Sequence, residues 1–451
     1  MGTQPLRQDQ QQNLADDLLA RAARAGAERA DCVLIESVDV STSCRMGKQE
    51  ELERSESVAV GLRVWVGQKA AIASASDFAT ASLDELASRA VSMARVATDD
   101  PYSGLAAEEL WARDIPDLDL YDPREPSAET LLDMAKAAED AALSVKGITN
   151  SEGADAYYGT HCVTLAHSGG WRGSYLSSDL SLSVCVIAGK GDGMERDYEY
   201  AMAAHLEDLP SPETIGIAAA ERTVRRLKPR KIATRQIPVL FEPRVGKGLI
   251  GAFAGAISGA AVARGSTYLK SKMGEQLFAP GLRLIDDPLI KRGQGSHPFD
   301  GEGVRVQKRA IVEDGRLLTW LLDLRSAAQL GLTTTGHASR GLASPPSPSS
   351  SNFYMEAGSL SPAELMKDIT LGLYVTDTFG SGVNNVTGDY SQGASGFLIE
   401  NGELTVPVAE ITIAGHMLEA YKRLTPANDL EFKYATNVPT LRVDGLTVAG
   451  N

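Results

Sequence analysis

The sequence predicts an α+β fold, a mixed N-terminal region of sheets and helices followed by a strand-rich C-terminal domain. Three observations predict it. Segments of helical period and segments of two-residue period succeed one another without the regular strand–helix repeat of a doubly wound parallel sheet. A Pro- and Asp-rich stretch, Asp114 to Pro126, separates two such mixed segments. From Ile237 onward, glycine-rich connections separate short strands, and charges gather at the turns. At ~150 residues per domain, the 451 residues divide into 1–113, an N-terminal α+β domain, 127–229, a central α+β region, and 230–451, the strand-rich domain.

In the first segment Leu14 to Ala25 has helical spacing and Cys32 to Val38 reads as a strand. Val58 to Val66 alternates with period two, and Ala70 to Ala75 is its predicted hairpin partner across Gly67-Gln68. Leu83 to Ala97 is an amphipathic helix, with Ser82 the predicted N-cap and Glu85 completing a capping box. Asp114 to Pro126 is a predicted linker. The central segment offers a helix, Ala128 to Val145, a strand set, Ile148 to Ile187, and a second helix, Pro212 to Leu227. The last segment opens with a strand, Ile237 to Phe241, and a helix, Leu249 to Ala263. Short strands follow over Val304 to Asp314 and Arg316 to Asp323. Phe397 to Glu400 turns at Asn401-Gly402 into Glu403 to Val408, because Asn-Gly accepts the left-handed conformations of a two-residue turn. Ser344 to Ser351 (SPPSPSSS) reads as an extended, polar, flexible loop.

Lysine and arginine number 44 against 59 aspartates and glutamates, a formal charge of −15. Such a balance repels polyanions and leaves no basic stripe, which argues against nucleic-acid binding. Hydrophobic residues make up 43%, enough for ordinary globular cores. The stretch Met1 to Asn13 is polar and Gln-rich, without the apolar core of a signal peptide. The longest mostly apolar, uncharged run, Gly248 to Ala263, falls short of the ~20 residues of a spanning helix. The expectation is a cytoplasmic protein without membrane contact, whose four cysteines, Cys32, Cys44, Cys162 and Cys185, stay reduced.

Several motifs carry possible chemistry. Gly246-Lys-Gly248-Leu-Ile-Gly251 matches G-x-G-x-x-G after a strand, but Glu242-Pro243-Arg244 intervenes and no acidic residue ends a following strand. A dinucleotide site is therefore not expected. Neither a G-x-x-x-x-G-K-[ST] loop nor a G-x-S-x-G elbow occurs; Ser395, a near-miss, enters a strand where an elbow would leave one. The six histidines, His161, His167, His205, His297, His337 and His416, include no H-E-x-x-H pair. On one strand His161 and His167 lie ~20 Å apart, at ~3.3 Å per residue, too far for one zinc ion, and Cys162 faces the other way. His337, in Thr335-Gly-His-Ala-Ser-Arg340, is more suggestive: an Arg–His–hydroxyl cluster could hold a carboxylate or peptide terminus, or anchor a loop by hydrogen bonds. Asp286, Asp287, Asp300 and Glu302 could do acid–base work or hold a hard cation, although Asp before Pro or Gly is more often turn chemistry. Gly251, Gly255 and Gly259 recur every four residues, and on one helix they form a ridge beside Ala252, Ala256 and Ala260. Each glycine costs ~1 kcal/mol relative to alanine in a helix interior. That cost points to close approach of another backbone, within the chain or across a dimer or substrate surface.

The C-terminal half also carries a family signature. In order come Ala254-Gly-Ala-Ile-Ser-Gly259 with Ala263-Arg-Gly265, Asp286-Asp-Pro288, Pro298-Phe-Asp-Gly-Glu-Gly303 and Trp320-Leu-Leu-Asp323. Thr335-Gly-His-Ala-Ser-Arg340, Gly388-Asp-Tyr-Ser391, Ile399-Glu-Asn-Gly402 and Glu410-Ile-Thr-Ile-Ala-Gly415 follow. This series resembles the TldD/PmbA family, specifically its PmbA (TldE) branch, densely over ~230–451 and more loosely before. The resemblance implies a two-subunit cytosolic metalloprotease. In that family the TldD-type subunit holds zinc on a helical H-E-x-x-x-H and a late Cys, with the Glu as general base on zinc-bound water. The TldE-type subunit partners it without metal. On this sequence the motif falls on Gly251, Ala252 and Ala256, and the Cys near Ala435 or Thr436, none of which can ligate zinc. The resemblance thus implies no catalytic residue, cofactor or metal in this chain and zinc in a TldD-type partner. It further implies unfolded peptides as substrates. The residues read above make Gly251, Gly255, Gly259, His337 and Arg340 the candidate substrate or partner surface. An isolated chain could pair with itself as a homodimer. The alternatives are a homo-oligomeric peptide-binding or scaffold protein without proteolytic role, and a divergent hydrolase using His337 or His416 with the acidic cluster.

Overall fold

The structure, a computed structural model, describes residues 8–450; residues 1–7 of the polar N-terminal stretch and Asn451 lie outside it. Helix α1 (Gln8–Ala25) leads into strands β1 (Arg29–Arg45), β2 (Lys48–Val66) and β3 (Lys69–Ala75), then α2 (Thr80–Val96) and α3 (Ala128–Ser144). Strands β4 (Ile148–His167), β5 (Arg172–Ala188) and β6 (Glu195–Ala203) and helix α4 (Pro212–Arg225) follow. The six strands form one sheet in the order β3-β2-β1-β4-β5-β6, antiparallel throughout. β1 pairs with β4 from Asp31 opposite His167 to Cys44 opposite Ala154, so the segments on either side of residues 114–126 share a single sheet.

Side-chain alternation assigns the two faces. Even-numbered Cys32 and Leu34 pack in one cluster with α1 and α2, and Val40 and Cys44 in another with α3 and α4. Odd-numbered Val33 and Ile35 lie on the opposite face with Trp171 and Phe299. Phe299 comes from the C-terminal part, so β1 is covered on both sides here, which is why Cys32 to Ile35 reads as an unbroken apolar run. The approach is close. A Cβ at Gly61 would lie 2.0 Å from the Leu342 carbonyl oxygen, so only glycine admits that loop against β2.

The C-terminal part begins with β7 (Arg235–Phe241), α5 (Pro243–Ala256), α6 (Gly259–Ala263), β8 (Leu284–Asp286), β9 (Arg309–Glu313) and β10 (Arg316–Leu317). Next are α7 (Leu324–Leu330), β11 (Ala338–Ser339), β12 (Ser347–Pro348), β13 (Phe353–Met355), α8 (Pro362–Met366) and β14 (Leu371–Phe379). The chain ends with β15 (Asp389–Glu400), β16 (Glu403–His416), α9 (Met417–Lys422), β17 (Leu424–Pro426), β18 (Thr436–Asn437) and β19 (Leu441–Ala449). Six strands run β16-β15-β14-β7-β19-β17, and pairing of β16 with β19 closes five of them into a barrel. Val239, Phe241, Leu373, Val375, Ile413 and Val443 share its core with Ile250 and Phe253 of α5. Leu240, of the opposite parity, packs with Leu365 and Ile369 outside that core. A second, short sheet, β10-β9-β8-β13-β18, carries Asp286 at the end of β8.

The fold class is α+β, and most expected elements lie where their patterns place them. The hairpin at Asn401-Gly402 forms with Glu400 opposite Glu403 and both turn residues at positive φ. The strands expected over Val304 to Asp314 and Arg316 to Asp323 shorten to β9 and the two-residue β10, because Arg305 N–H bonds the Leu110 carbonyl and Leu321 N–H the Ile257 carbonyl instead of each other's strand. Five further differences have identifiable causes. Helix α1 starts six residues before Leu14 because buried Gln11 gains partners on the sheet, Glu36 and Thr164, that apolar spacing cannot reveal. Helix α2 starts at Thr80, not after Ser82; Ser82 bonds Asp77 instead of capping. Residues 114–126 are pinned, with the Leu120 carbonyl accepting from Ser178 N–H and Asp122 buried. The Ser344–Ser351 loop is anchored as well: Ser347–Pro348 pairs with Ala338–Ser339, and Ser351 is buried on Asp286. The helix expected over Leu249–Ala263 is broken at Ile257-Ser258, where Gly259 N–H turns to the Leu321 carbonyl (2.7 Å) and Leu321 N–H to the Ile257 carbonyl (3.1 Å). All four cysteines are free, and among the described residues no helix is long and apolar enough to cross a membrane.

Candidate functional site

The break between α5 and α6 corrects the expected ridge of three glycines. Gly259 alone is a close approach: a Cβ there would meet Leu322 Cδ2 at 2.5 Å, Ser326 Oγ at 2.6 Å and the Leu321 carbonyl oxygen at 2.9 Å. Nothing lies within 4 Å of a Cβ at Gly248 or Gly251, and at Gly255 only Asn385 Nδ2 does, at 3.8 Å. Within the chain, therefore, Gly251 and Gly255 are not packed against another element. Ala252 is half-buried beside them, whereas Ala256 is buried on the core side. The residues do not fit a zinc ion, since Gly251, Ala252 and Ala256 offer no side-chain donor. Among the described residues no three His, Cys, Asp or Glu side chains gather as a metal site.

One turn before Gly251 on α5, Lys247 donates to Tyr200 Oη at 2.6 Å and lies 3.3 Å above the Tyr434 ring centre. Burial, with a smaller contribution from neighbouring Arg244, brings its ammonium down to about 8. Sequence reasoning missed this residue. Its two tyrosines come from β6 and from the loop before β18, and only the fold brings them together.

His337 and Arg340 line one cleft of about 380 Å³ between the N-terminal sheet and the C-terminal loops, but they do not form one cluster. His337 is held at both ring nitrogens, Nδ1 by Thr335 Oγ1 (2.7 Å) and Nε2 by Asp286 Oδ2 (3.1 Å). Asp286 also accepts from Ser351 N–H (2.7 Å) and Ser351 Oγ (2.5 Å). Burial raises the Asp286 pKa, but His337 and Ser351 outweigh it and hold the carboxyl below the usual range. The order hydroxyl–imidazole–carboxylate is that of a hydrolytic triad. Here the hydroxyl is buried and already accepts Leu322 N–H at 2.8 Å, so Thr335 cannot present a nucleophile to the cleft. His416 stands apart, bonded to the Thr387 carbonyl at 3.0 Å, and takes no part with the acidic residues.

The remaining acids are loop fasteners. Asp300 accepts from the N–H groups of Glu302, Val304 and Ala338, and Glu302 from Leu324 N–H. Burial pushes both Asp300 and Glu302 above the usual carboxylate range, Glu302 against the pull of Arg63 and with the neighbouring Asp300 charge adding to the rise. Asp287 accepts from Leu289 N–H and lies 3.3 Å from Lys308. His161 and His167 are separate, His161 beside Asp179 (3.4 Å) and His167 between Trp111 and Trp171. Arg340 reaches the other sheet, with Nη1 2.7 Å from Asp31 Oδ1, while Arg63 grips the same carboxylate through Nε (3.0 Å) and Nη2 (2.5 Å).

A helix-backed antiparallel sheet joined through buried charge to a closed barrel defines a class, and its blocks of sequence are those of a metallopeptidase family. Models of the PmbA/TldA metallopeptidase domain 1, central domain and C-terminal domain match residues 30–94, 121–227 and 234–450. The chain belongs to the PmbA/TldD metallopeptidase family. It is 38% identical to metalloprotease PmbA of Escherichia coli O157:H7 over 95% of this chain and 94% of that one. It is 30% identical to a metalloprotease TldD homolog of Haemophilus influenzae over 47% and 46% of the two chains. A crystal structure from Bacteroides thetaiotaomicron, 26% identical, aligns over 99% of this chain and all of its own with a TM-score of 0.91. TldE from Thermococcus kodakarensis, 19% identical, shares the fold over 97% of this chain and 100% of its own, with a TM-score of 0.86.

Proposed function

We propose that this chain is the non-zinc-binding subunit of a TldD/TldE-type cytosolic metalloprotease complex, forming part of the peptide chamber and supporting a zinc-bearing TldD-type partner. One observation carries the reading. The face of α5 at Gly248, Gly251 and Gly255 has almost no side-chain atoms on it, and within the chain only Asn385 Nδ2, beside Gly255, comes near it. Glycine weakens a helix interior, so three of them on an open face are consistent with a second polypeptide lying close there. The same helix carries Gly251, Ala252 and Ala256, where the family's zinc motif would fall, which supports a supporting over a hydrolytic role. The zinc chemistry belongs to the partner; this chain's contribution is to shape the chamber and exclude bulk water from a bound peptide.

The test is assembly. Mixed with a TldD-type subunit from the same genome, the chain should form a stable hetero-oligomer on size-exclusion chromatography and enable casein cleavage that neither subunit supports alone. The Gly255→Leu variant should keep the fold of the isolated chain yet fail to assemble, because its side chain fills the space the partner would occupy. Self-association alone, with no binding to any TldD-type chain, would favour the homo-oligomeric scaffold. Stoichiometric zinc on the purified chain, with chelator-sensitive cleavage, would overturn both readings.

A further inference from the structure

The cleft between the two sheets holds a guanidinium without an aligned acceptor. Arg63 and Arg340 both draw on one carboxylate, Asp31, and Arg63 already takes its best-aligned bonds. The Arg340 side chain is only 1% exposed, and none of its Nε, Nη1 and Nη2 atoms makes a hydrogen bond; Nη1 is near Asp31 but out of line. Buried guanidinium groups are normally paired in full, so unmatched donors beside a cavity call for an acceptor. Glu302, 3.7 Å from Arg63, and Asp323 are the other acids near that guanidinium; burial favours the neutral form of Glu302, and Asp323 is engaged in capping α7. Arg340 is therefore the guanidinium left without an aligned acceptor.

The rest of the cleft limits what could supply it. Val33, Ile35, Val163 and Leu165 make one wall apolar. Asp300 also lines the cleft, with its carboxylate taken up by the N–H groups of Glu302, Val304 and Ala338. His297, another lining residue, donates from Nδ1 to the Gly295 carbonyl at 3.0 Å, which leaves Nε2 as a lone-pair acceptor with no partner among the described residues. A ligand that satisfies all three features has a carboxylate, an apolar body and an N–H donor.

We infer that this cleft binds the C-terminal end of an apolar peptide, its carboxylate on Arg340, an amide N–H on His297 Nε2, and its last side chain against the β1–β4 wall. The guanidinium fork matches a carboxylate in geometry, and charge-assisted bonds strengthen where water is excluded. A fatty acid shares the carboxylate and the apolar body but has no N–H for His297. The inference rests on the peptide-handling reading above, yet its test needs no partner subunit.

Isothermal titration of the isolated full-length chain at neutral pH would compare acetyl-Ala-Ala-Leu as the free acid, the same peptide as its C-terminal amide, and octanoate. The free acid should bind about ten-fold or more tighter than the amide and than octanoate. Ser349 lines the cleft at an exposed position, so Ser349→Trp should obstruct it, lowering free-acid affinity about ten-fold without a change in melting temperature. Arg340→Met should abolish the acid preference and Arg340→Lys retain part of it; if either fails to fold, the wild-type and Ser349→Trp comparisons still decide. Equal binding of acid and amide, no binding of either, octanoate as tight as the peptide, or indifference to Ser349→Trp would each overturn the inference. Should the hetero-oligomer form while acid selectivity is absent, only this inference falls; acid selectivity without assembly would count against the subunit role alone.

Discussion

The two glycines at the ends of the predicted ridge should respond in opposite directions to the same substitution. Gly259→Ala places a methyl group 2.5 Å from Leu322 Cδ2 and 2.9 Å from the Leu321 carbonyl oxygen. Leu322 could rotate, but the carbonyl is fixed, because it accepts the Gly259 N–H at 2.7 Å and its residue donates back to Ile257. Relief must come from separating α6 from the Trp320–Asp323 segment, and overpacking of this kind costs about 1–3 kcal/mol. Gly251→Ala adds its methyl group to open space in the interior of α5. There the substitution gains roughly 0.5–1 kcal/mol of helix propensity and lost unfolded-state entropy. Urea denaturation of the isolated chain followed by far-UV circular dichroism should therefore separate the two variants by about 1.5–4 kcal/mol, with wild type between them. If Gly259→Ala is no less stable than wild type, or if Gly251→Ala is destabilised, the division of this segment into a packed end and an open face is wrong.

Asp31→Asn leaves Arg63 and Arg340 buried without the carboxylate they share and should cost about 3–5 kcal/mol in chemical denaturation, the range for breaking one side of a buried ion pair. Burial holds the Glu302 carboxyl above the value of an unfolded glutamate, so the folded state keeps an extra proton from about pH 4.5 upward into the neutral range. Stability should fall as pH rises through that window, and Glu302→Gln should flatten the slope; an unchanged slope in urea titrations at several pH values would count against the assignment. Asp286 behaves in the opposite sense. Its pKa is held low, so its contribution is present above the unfolded carboxylate range and lost on acidification, and Asp286→Asn should both lower the neutral-pH midpoint and remove part of the acid-side loss.

Much of the fold is legible in the residues because alternation and helical period report which face of an element is buried. The hairpins at Gly67-Gln68 and Asn401-Gly402, the helices after Ser127 and Ser211, and the strand at Cys32 to Val38 all follow from local pattern. Boundaries fail where polar groups do the fastening. Gln11 extends α1, Asp122 pins a stretch that composition presents as a linker, and Ser351 ties down a loop that looks free. The acidic cluster is turn chemistry for the most part, as the neighbouring prolines and glycines suggest. His337 and Arg340 share a cleft without touching, because their partners, Asp286 and Asp31, lie 51 and 309 residues away in the chain (337 − 286 and 340 − 31).

By itself the sequence determined the α+β class, the family, and the absence of zinc-ligating side chains at Gly251, Ala252 and Ala256, since each depends on residue identity or on spacing along one element. Only the tertiary structure decided that Gly259 is packed while Gly251 faces outward, that Arg340 is drawn to a strand of the other sheet, and that His297 keeps a free acceptor. Those properties depend on what lies across from a residue. Periodicity tells a side chain which way to turn, but the group that meets it there is set by chain segments far away, brought together only when the two sheets close on each other.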